Sequence, residues 1–317
     1  MTNDHMTDSK ETTFLMRYFP QGTLIVAPLL ILCSLVMSGY MFLGNLMPPD
    51  SSQQQIAIEY HQSNQSSGQS NEGGASSGVG TELDDVVVIA QNTAVSTSTD
   101  TGRVENLRLA TQAIDGIVIE PGETFSFNEV VGDVENDSRY RPAPMVLDSE
   151  TDYIRGGGVS QVSSALYVAA LSTNLVIEER HPHPTNVDFA QTGLDANVKY
   201  SRMDLRLSNH GDSPIKINAV SEGQTITVTL LGQPLADGIR IEPMAVLIIY
   251  HMAGAPLPDG LDVDSSLRNS SFYIIESFKV FYYHGNMTES VLLARDTYMV
   301  LSGTVVVMPD GTRAITQ

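Results

Sequence analysis

The residues best suited to chemistry begin with a glycine-rich segment, in which Gly156, Gly157 and Gly158 are followed by Val159 and Ser160. Glycine permits positive φ and lets a ligand approach the backbone closely. Apolar residues then recur at three- and four-residue spacing, which predicts a short helix. Ser160 would lie where this helix begins, and unpaired N–H groups and the positive end of the helix dipole favour nucleophiles and anions there. The alternative is a glycine turn followed by a serine that caps the helix, which would account for the same residues without a catalytic or binding role.

Two histidines, His181 and His183, form a second candidate, and each directly precedes a proline. A residue before proline is pushed into an extended conformation. Histidines at this spacing suit a catalytic base or a pair of metal ligands. The sequence offers no evident third ligand, so we predict neither a metal nor another cofactor. A structural or surface role for either histidine is the alternative.

Composition excludes some classes of partner. The chain has 317 residues and a formal net charge of −20, from 37 acidic and 17 basic residues. Binding to nucleic-acid phosphates requires clustered Lys and Arg, which this sequence lacks, so we predict no nucleic-acid partner. The single cysteine, Cys33, lies in an apolar N-terminal run. A cysteine nucleophile or a disulfide is therefore excluded from the rest of the chain.

The N-terminal region predicts a single-pass membrane anchor. Residues 22–46 are apolar, carry no charge and are long enough to cross a bilayer as a helix. Lys10 and Arg17 precede this run, and the next basic residue is Arg103. The positive-inside rule therefore predicts a cytoplasmic tail over 1–21 and a C-terminal part outside the cell membrane. A signal peptide cleaved near Ser38 and Gly39 is the alternative.

The remaining chain predicts a linker and two folded regions. Residues 47–82 are rich in Ser, Gly and Gln and contain little to bury, so we predict a disordered linker. Residues 83–234 predict an α+β domain, and residues 235–317 a β-rich accessory region. The periodicity predicts these elements: a strand at 86–89, a helix face at 104–114, a strand containing Phe125 and Phe127, a loop over 133–148, a helix over 160–171, an antiparallel meander over 203–230, and a hairpin pairing 272–283 with 290–301.

Four motifs occur in an order that resembles the VanW family of bacterial envelope proteins. They are Pro-Gly-Glu-Thr-Phe-Ser-Phe-Asn at 121–128, Gly-Gly-Gly-Val-Ser-Gln-Val-Ser-Ser-Ala-Leu-Tyr at 156–167, Glu-Arg-His-Pro-His at 179–183, and Gly-Leu-Asp-Ala-Asn-Val at 193–198. The resemblance implies a function associated with peptidoglycan and a link to vancomycin resistance. It also implies a peptide-binding groove, with contacts from Gly156, Gly157, Gly158, Gln161 and Ser163.

Some members of the family are thought to be L,D-transpeptidases whose nucleophile is a cysteine directly after Gly-Gly-Gly-Val. Carried onto this sequence, the resemblance makes Ser160 the nucleophile, His181 or His183 the base and Asp195 the residue that orients it. Serine departs from the family pattern, because a hydroxyl needs concerted proton removal where a thiol ionises readily. We therefore expect a domain that binds peptidoglycan stem peptides and has lost its chemistry. A serine acyltransferase or hydrolase and a scaffold without ligand are the alternatives.

Overall fold

The computed structural model describes residues 23–25, 86–147, 150–300, 305–307 and 313–315. The elements follow one another as β1 (Thr23–Ile25), β2 (Val87–Val95), α1 (Thr101–Ile114), β3 (Val118–Ile119), β4 (Thr124–Ser126), α2 (Phe127–Val131), β5 (Pro142–Leu147), β6 (Glu150–Arg155), α3 (Val159–Leu171), β7 (Val176–Glu179), β8 (Arg206–Ser208), β9 (Ile215–Glu222), β10 (Thr225–Gly232), β11 (Ile239–His251), β12 (Phe272–Tyr283), β13 (Asn286–Met299), β14 (Val305–Val307) and β15 (Arg313–Ile315). The mixed fold expected from the sequence is present, with several sheets and few helices.

The predicted cytoplasmic tail and linker lie outside the described residues, as does most of the membrane segment predicted over 22–46. The exception is β1, which pairs antiparallel with β11, so these three residues are extended where a helix was expected. Threonine and isoleucine are β-branched and favour strands, and pairing with β11 satisfies the backbone groups of this segment. Within the described ranges, no helix has the length and apolar character needed to span a bilayer.

One antiparallel sheet, in the order β2–β10–β9–β3, supports the two long helices. Ile217 on β9 and Val228 on β10 are fully buried, and both belong to the same apolar cluster as Leu107 of α1 and Leu166 of α3. The alternation of buried and partly exposed residues along β9 is the pattern of a half-buried strand. The predicted meander is therefore confirmed at its β9–β10 hairpin.

Helix α3 lies at the centre of this core. The sequence predicts an apolar face at Val162, Leu166 and Ala169, and the structure buries all of these residues. Burial extends further than one face, because eleven residues of the helix are buried, including Ser163 and Ser164. A helix buried on nearly all sides holds its first turn in a fixed place, and Ser160 lies in that turn.

Two expectations about the chain before α3 are wrong. Phe127 does not continue the strand of Phe125, because Ser126 caps α2 by accepting a hydrogen bond from the Glu129 amide over 3.1 Å. Residues 142–147 form β5, which pairs with β6, where a loop was expected. Pro142 and Pro144 are tolerated because β6 is the only partner of β5 in the described sheets, so their missing donors need no second neighbour.

The C-terminal residues form a second antiparallel sheet, in the order β1–β11–β12–β13. The predicted long hairpin is confirmed as β12 and β13, which pair from Phe272–Met299 to Tyr283–Asn286. Tyr273, Ile275 and Tyr298 belong to the same buried cluster as the helices of the first sheet. The C-terminal sheet therefore packs on the segment that follows β7, which contains both histidines.

Candidate functional site

The glycine-rich segment is tightly packed. Gly156 has a φ of 80°, and a Cβ added to it would lie 2.4 Å from the Val134 Cγ2 atom. A Cβ on Gly157 would lie 2.8 Å from the carbonyl oxygen of Ala143. Since real Cβ contacts are longer than this, any other residue would force the Val134 side chain or the Ala143 backbone to move. Local packing is thus sufficient to explain glycine at both positions.

Gly158 is the N-cap of α3, with a left-handed φ of 103° and no side chain to cap the helix. Its neighbour is Arg103 of α1, whose Cγ atom would lie 2.7 Å from a Cβ added to Gly158. The first N–H groups of a helix have no partner within the helix. Backbone carbonyls serve instead, because the Val159 amide donates to Gly156 over 3.2 Å and the Gln161 amide to Gly158 over 2.9 Å. The start of α3 thus has a backbone cap and a guanidinium close to it.

Ser160 is partly exposed, and its hydroxyl is bound to the segment that follows Asp195. The hydroxyl donates to Asn197 Oδ1 over 3.4 Å and accepts from the Val198 amide over 3.3 Å. Its carbonyl oxygen accepts from the Ser164 hydroxyl over 2.7 Å. Among the described residues, no histidine forms a hydrogen bond with Ser160. The serine thus joins the first turn of α3 to residues 197–198.

Gln161 and Ser163 are fully buried and engaged inside the protein. The Gln161 amide nitrogen donates to the carbonyl oxygens of Ala94 and Gln224, over 3.1 and 2.7 Å, and its oxygen accepts from Arg103 over 2.9 Å. The Ser163 hydroxyl donates to the Ala196 carbonyl oxygen over 2.7 Å. Both side chains bind α3 to its surroundings. The sequence analysis expected them on the surface of a groove, and the structure buries both instead.

His183 and Asp195 form a hydrogen-bonded pair, as the sequence analysis expected for a base and its orienting residue. The His183 Nδ1 atom lies 2.6 Å from Asp195 Oδ2, and the His183 amide donates to the same oxygen over 2.7 Å. The Phe189 ring meets the imidazole edge-on, at 5.8 Å between centroids. Because Nδ1 is held by the carboxylate, the Nε2 atom is the one left for other contacts.

A buried ionic network fixes Asp195 from the other side. The Arg180 guanidinium lies 3.0 Å from Asp195 Oδ1 and also pairs with Asp296 of β13. The Tyr298 hydroxyl donates to Asp195 Oδ1 over 2.6 Å and accepts from the Gly193 amide over 3.1 Å. Every member except His183 is at least nine-tenths buried, so the C-terminal sheet supplies part of the support for the histidine.

The pKa values of the two carboxylates in this network, Asp195 and Asp296, shift in opposite directions. Burial acts to raise the pKa of Asp195, but hydrogen bonding to His183 and the charges of His183 and Arg180 outweigh it and hold that pKa below its usual value. Burial raises the pKa of Asp296, and Arg180 offsets this only in part. Asp195 is therefore the carboxylate that stays ionised beside His183.

His181 has a different environment, although it lies two residues from His183. Its Nε2 atom lies 2.9 Å from Glu179 Oε1, and its side chain is 37% exposed. The hydrogen bond from His181 is the main cause that lowers the pKa of Glu179. The His181 carbonyl oxygen accepts from the Asn197 amide over 2.7 Å, which links this histidine to the residue that contacts Ser160.

The structure thus brings together His183 and Asp195, and it joins Ser160 to Asn197 and Val198 of the segment that follows Asp195. The sequence analysis did not assign a role to Asn197, although it belongs to the motif at 193–198. Its amide side chain could have indicated a hydrogen-bond partner for Ser160. Arg180 stands directly before His181 in the sequence, yet nothing local indicated its burial. Tyr298 gave no signal, because it lies 103 residues from Asp195. In the described ranges, no group of three metal-ligating side chains occurs.

Comparison with known proteins gives one family and two relatives. Residues 102–231 match the family described as VanW like protein. The chain is 38% identical over 133 residues to "Uncharacterized protein YoaR" of Bacillus subtilis (strain 168), covering 42% of this chain and 44% of that protein. It is 30% identical over 159 residues to "Vancomycin B-type resistance protein VanW" of Enterococcus faecalis (strain ATCC 700802 / V583), covering 48% and 56%.

The chain therefore spans about half the length of the curated relatives it matches. No solved structure matches it.

Proposed function

We propose, from the premise that this chain belongs to the VanW family through residues 102–231, that it binds peptidoglycan stem peptides without exchanging their bonds. The N-terminal segment anchors it in the cell membrane, and the VanW-like domain faces the cell wall. The relative named for vancomycin B-type resistance supports a role in the cell envelope. Residues 26–46, which follow β1, are apolar and uncharged and are long enough to cross a bilayer as a helix, which supports the anchor.

The observation that carries the non-catalytic proposal is the environment of the Ser160 hydroxyl. It donates its proton to Asn197 Oδ1, and an amide oxygen is not a base that can remove that proton. It also accepts from the Val198 amide, so both hydrogen-bonding roles of the hydroxyl serve the fold. A serine nucleophile requires an adjacent general base. In the part of the chain that the structure describes, no base is hydrogen-bonded to Ser160, although Asp195 holds His183 as it would hold a base.

Binding is supported by a connected strip of partly exposed polar groups. Ser160, Asn197 and His181 are each partly exposed and are joined by hydrogen bonds. The Ser160 hydroxyl and the Asn197 amide oxygen each carry a second lone pair, which can accept from the N–H groups that a peptide presents along its backbone. A peptide lying along this strip would pass the start of α3 and the Gly156–Gly158 segment.

The test is a binding and digestion assay with purified cell-wall sacculi and the full-length chain in a mild detergent. We expect the protein to sediment with the sacculi and to leave their muropeptide profile unchanged. An altered profile that disappears in Ser160→Ala would establish the serine enzyme instead. Absence of both sedimentation and digestion would favour a scaffold without ligand.

A further inference from the structure

A cavity lies beside the connection between the VanW-like domain and the C-terminal sheet, and its volume is about 250 Å³. Its walls come from three connections, which are the α3–β7 loop, the β8–β9 turn and the segment that joins β10 to β11. Pockets between packed units are common ligand sites. Because α3 has 13 residues and rises about 1.5 Å per residue, the cavity beyond its C-terminal end is about 20 Å from Ser160. A ligand in this cavity would therefore not contact the candidate site.

Buried hydrogen bonds hold the β8–β9 turn in place. Asn209 is buried, and its amide nitrogen donates to the carbonyl oxygens of Ile119 and Ser213, each over 2.9 Å. Its amide oxygen accepts from the Gly211 amide over 3.0 Å. The turn therefore presents Asp212, which lines the cavity, from a fixed backbone.

Asn174 lines the cavity from the α3–β7 loop and lies close to this turn. Its Nδ2 atom would lie 3.0 Å from a Cβ added to Gly211. The Leu175 amide donates to the Thr173 hydroxyl over 3.1 Å, and the Leu175 carbonyl oxygen accepts from the buried Lys279 ammonium over 2.9 Å. The loop is thus tied both to the end of α3 and to the C-terminal sheet, so the cavity is formed before any ligand binds.

Three polar side chains of the cavity are not used by the fold. Within the described ranges, the side chains of Asn174, Asp212 and Gln233 form no hydrogen bond or ion pair with the rest of the chain. They supply two carboxamides, which donate and accept, and one carboxylate, which accepts. Ile215 and Leu235 add apolar surface to the same cavity. A ligand that fits must therefore present hydroxyl or amide groups beside an apolar part.

The charge and the size of the cavity restrict the class of ligand. The nine lining residues include one carboxylate and no basic side chain, which disfavours phosphate and carboxylate ligands. Carboxylates and carboxamides pair with adjacent hydroxyls of a ring, because each hydroxyl both donates and accepts. Pockets for drug-sized ligands measure about 300–1,000 Å³, so this smaller cavity suits a single sugar ring.

We propose that this cavity binds one sugar unit that carries an N-acetyl group. Asp212 would accept hydrogen bonds from ring hydroxyls. The carboxamides of Asn174 and Gln233 would bind the N–H and C=O groups of the acetamide, and its methyl group would contact Ile215 and Leu235. The inference goes beyond the proposed peptide binding, since it adds a contact with a glycan on a separate surface.

The test uses the full-length chain in a mild detergent and isothermal titration with three sugars: tri-N-acetylchitotriose, cellotriose and the glucosamine trimer. We expect the acetylated trimer to bind at least about tenfold more tightly than cellotriose, which has a hydroxyl in place of each acetamide. Equal binding of these two, or no binding of the acetylated trimer, would overturn the proposal. Tighter binding of the glucosamine trimer would show a site for a cation and would equally overturn it.

Two variants separate recognition from folding. Asp212→Asn should weaken binding of the acetylated trimer by at least about tenfold, because hydrogen bonds to a charged acceptor are the stronger ones. Asp237→Asn, at an exposed position outside the cavity, should bind like the unchanged chain. Undiminished binding by Asp212→Asn contradicts the proposal. If that variant has a lower melting temperature, Gln233→Ala serves instead and should lose affinity for the acetylated trimer.

The outcome is separable from the proposed function. Sedimentation with sacculi that survives in Asp212→Asn, without binding of the acetylated trimer to the unchanged chain, would overturn the sugar site and leave stem-peptide binding intact. Binding of the trimer that depends on Asp212, together with loss of sedimentation in Asp212→Asn, would support the sugar site and overturn stem-peptide binding.

Discussion

The Tyr298 hydroxyl donates a hydrogen bond over 2.6 Å to Oδ1 of Asp195, the carboxylate that holds His183 through its other oxygen. Tyr298 belongs to β13, which lies outside the residues matched by the VanW family. A side chain of the C-terminal sheet thus positions the central carboxylate of the VanW-like domain. The orientation of the histidine depends on packing between the two sheets.

Tyr298→Phe should therefore destabilise the protein and loosen the His183–Asp195 pair. Loss of a buried hydrogen bond to a charged group costs about 1.5–3 kcal/mol of unfolding free energy. Urea denaturation of the full-length chain measures this cost. In the NMR spectrum, the downfield signal of the proton between His183 Nδ1 and Asp195 should broaden or move.

Tyr273→Phe is the matched control. Tyr273 stacks on the Tyr298 ring at 5.7 Å between centroids, and among the described residues its hydroxyl is not one of the groups that donate to Asp195. Its removal should leave the histidine proton signal in place. Equal effects of the two substitutions on that signal would show that ring packing, and not the hydrogen bond to Asp195, orients His183.

Stability at low pH should depend on Asp195 and Asp296 with opposite signs. The pKa of Asp195 is lower in the folded protein than in the unfolded chain, so its contribution is present above the unfolded value and is lost as pH falls below about 4. The pKa of Asp296 is raised, so its contribution is present below the unfolded value and is lost as pH rises through the folded one.

Asp195→Asn should therefore flatten the loss of stability below about pH 4, and Asp296→Asn should make that loss steeper. Urea denaturation midpoints between pH 3 and 7 measure both effects. The exposed Asp259→Asn substitution is the control and should leave the slope unchanged. A steeper slope in Asp195→Asn would contradict the assignment of Asp195 as the ionised member of the network.

Gly156→Ala should destabilise the protein more than Gly116→Ala, although both glycines have a φ of 80°. The positive φ therefore strains an alanine at both positions. Only at Gly156 would the new Cβ collide with Val134, while Gly116 has no atom within 4 Å of that position. We expect the collision to add about 1–3 kcal/mol, measured by urea denaturation. Equal losses would show that the glycine-rich segment can move away from Val134.

Sequence patterns predicted the helix and the hairpins whose apolar residues recur with a regular period. Apolar spacing located α3, and alternation located the β9–β10 and β12–β13 hairpins, because each pattern follows from contacts within one element. The partners of the histidines depended on contacts distant in sequence. His181 and His183 share the same local pattern, yet one pairs with Glu179 and the other with Asp195. Their spacing could not show which histidine contacts which carboxylate, because the packing of residues 193–198 against α3 determines the position of Asp195.

The strongest test of the local chemistry is the thiol that Ser160→Cys would introduce. At the start of α3, the helix dipole and the Val198 amide, which donates to the Ser160 hydroxyl, should stabilise a thiolate, so the thiol pKa should fall below about 8.5. The pH dependence of alkylation by iodoacetamide measures this pKa. The variant should be prepared with Cys33→Ser, which leaves the introduced cysteine as the single thiol of the chain.

The same variant tests whether only the nucleophile is missing. With a muropeptide donor, we expect crosslinking or cleavage in Ser160→Cys and none in the unchanged chain or in Ser160→Ala, because a thiolate does not need the base that Ser160 lacks. Adding His183→Ala to Ser160→Cys should reduce turnover, because the imidazole held by Asp195 would no longer donate the proton that the leaving amine needs. Turnover by the unchanged chain that disappears in Ser160→Ala would contradict the non-catalytic proposal. An alkylation pKa at or above about 8.5 would show that the start of α3 does not stabilise a negative charge at residue 160.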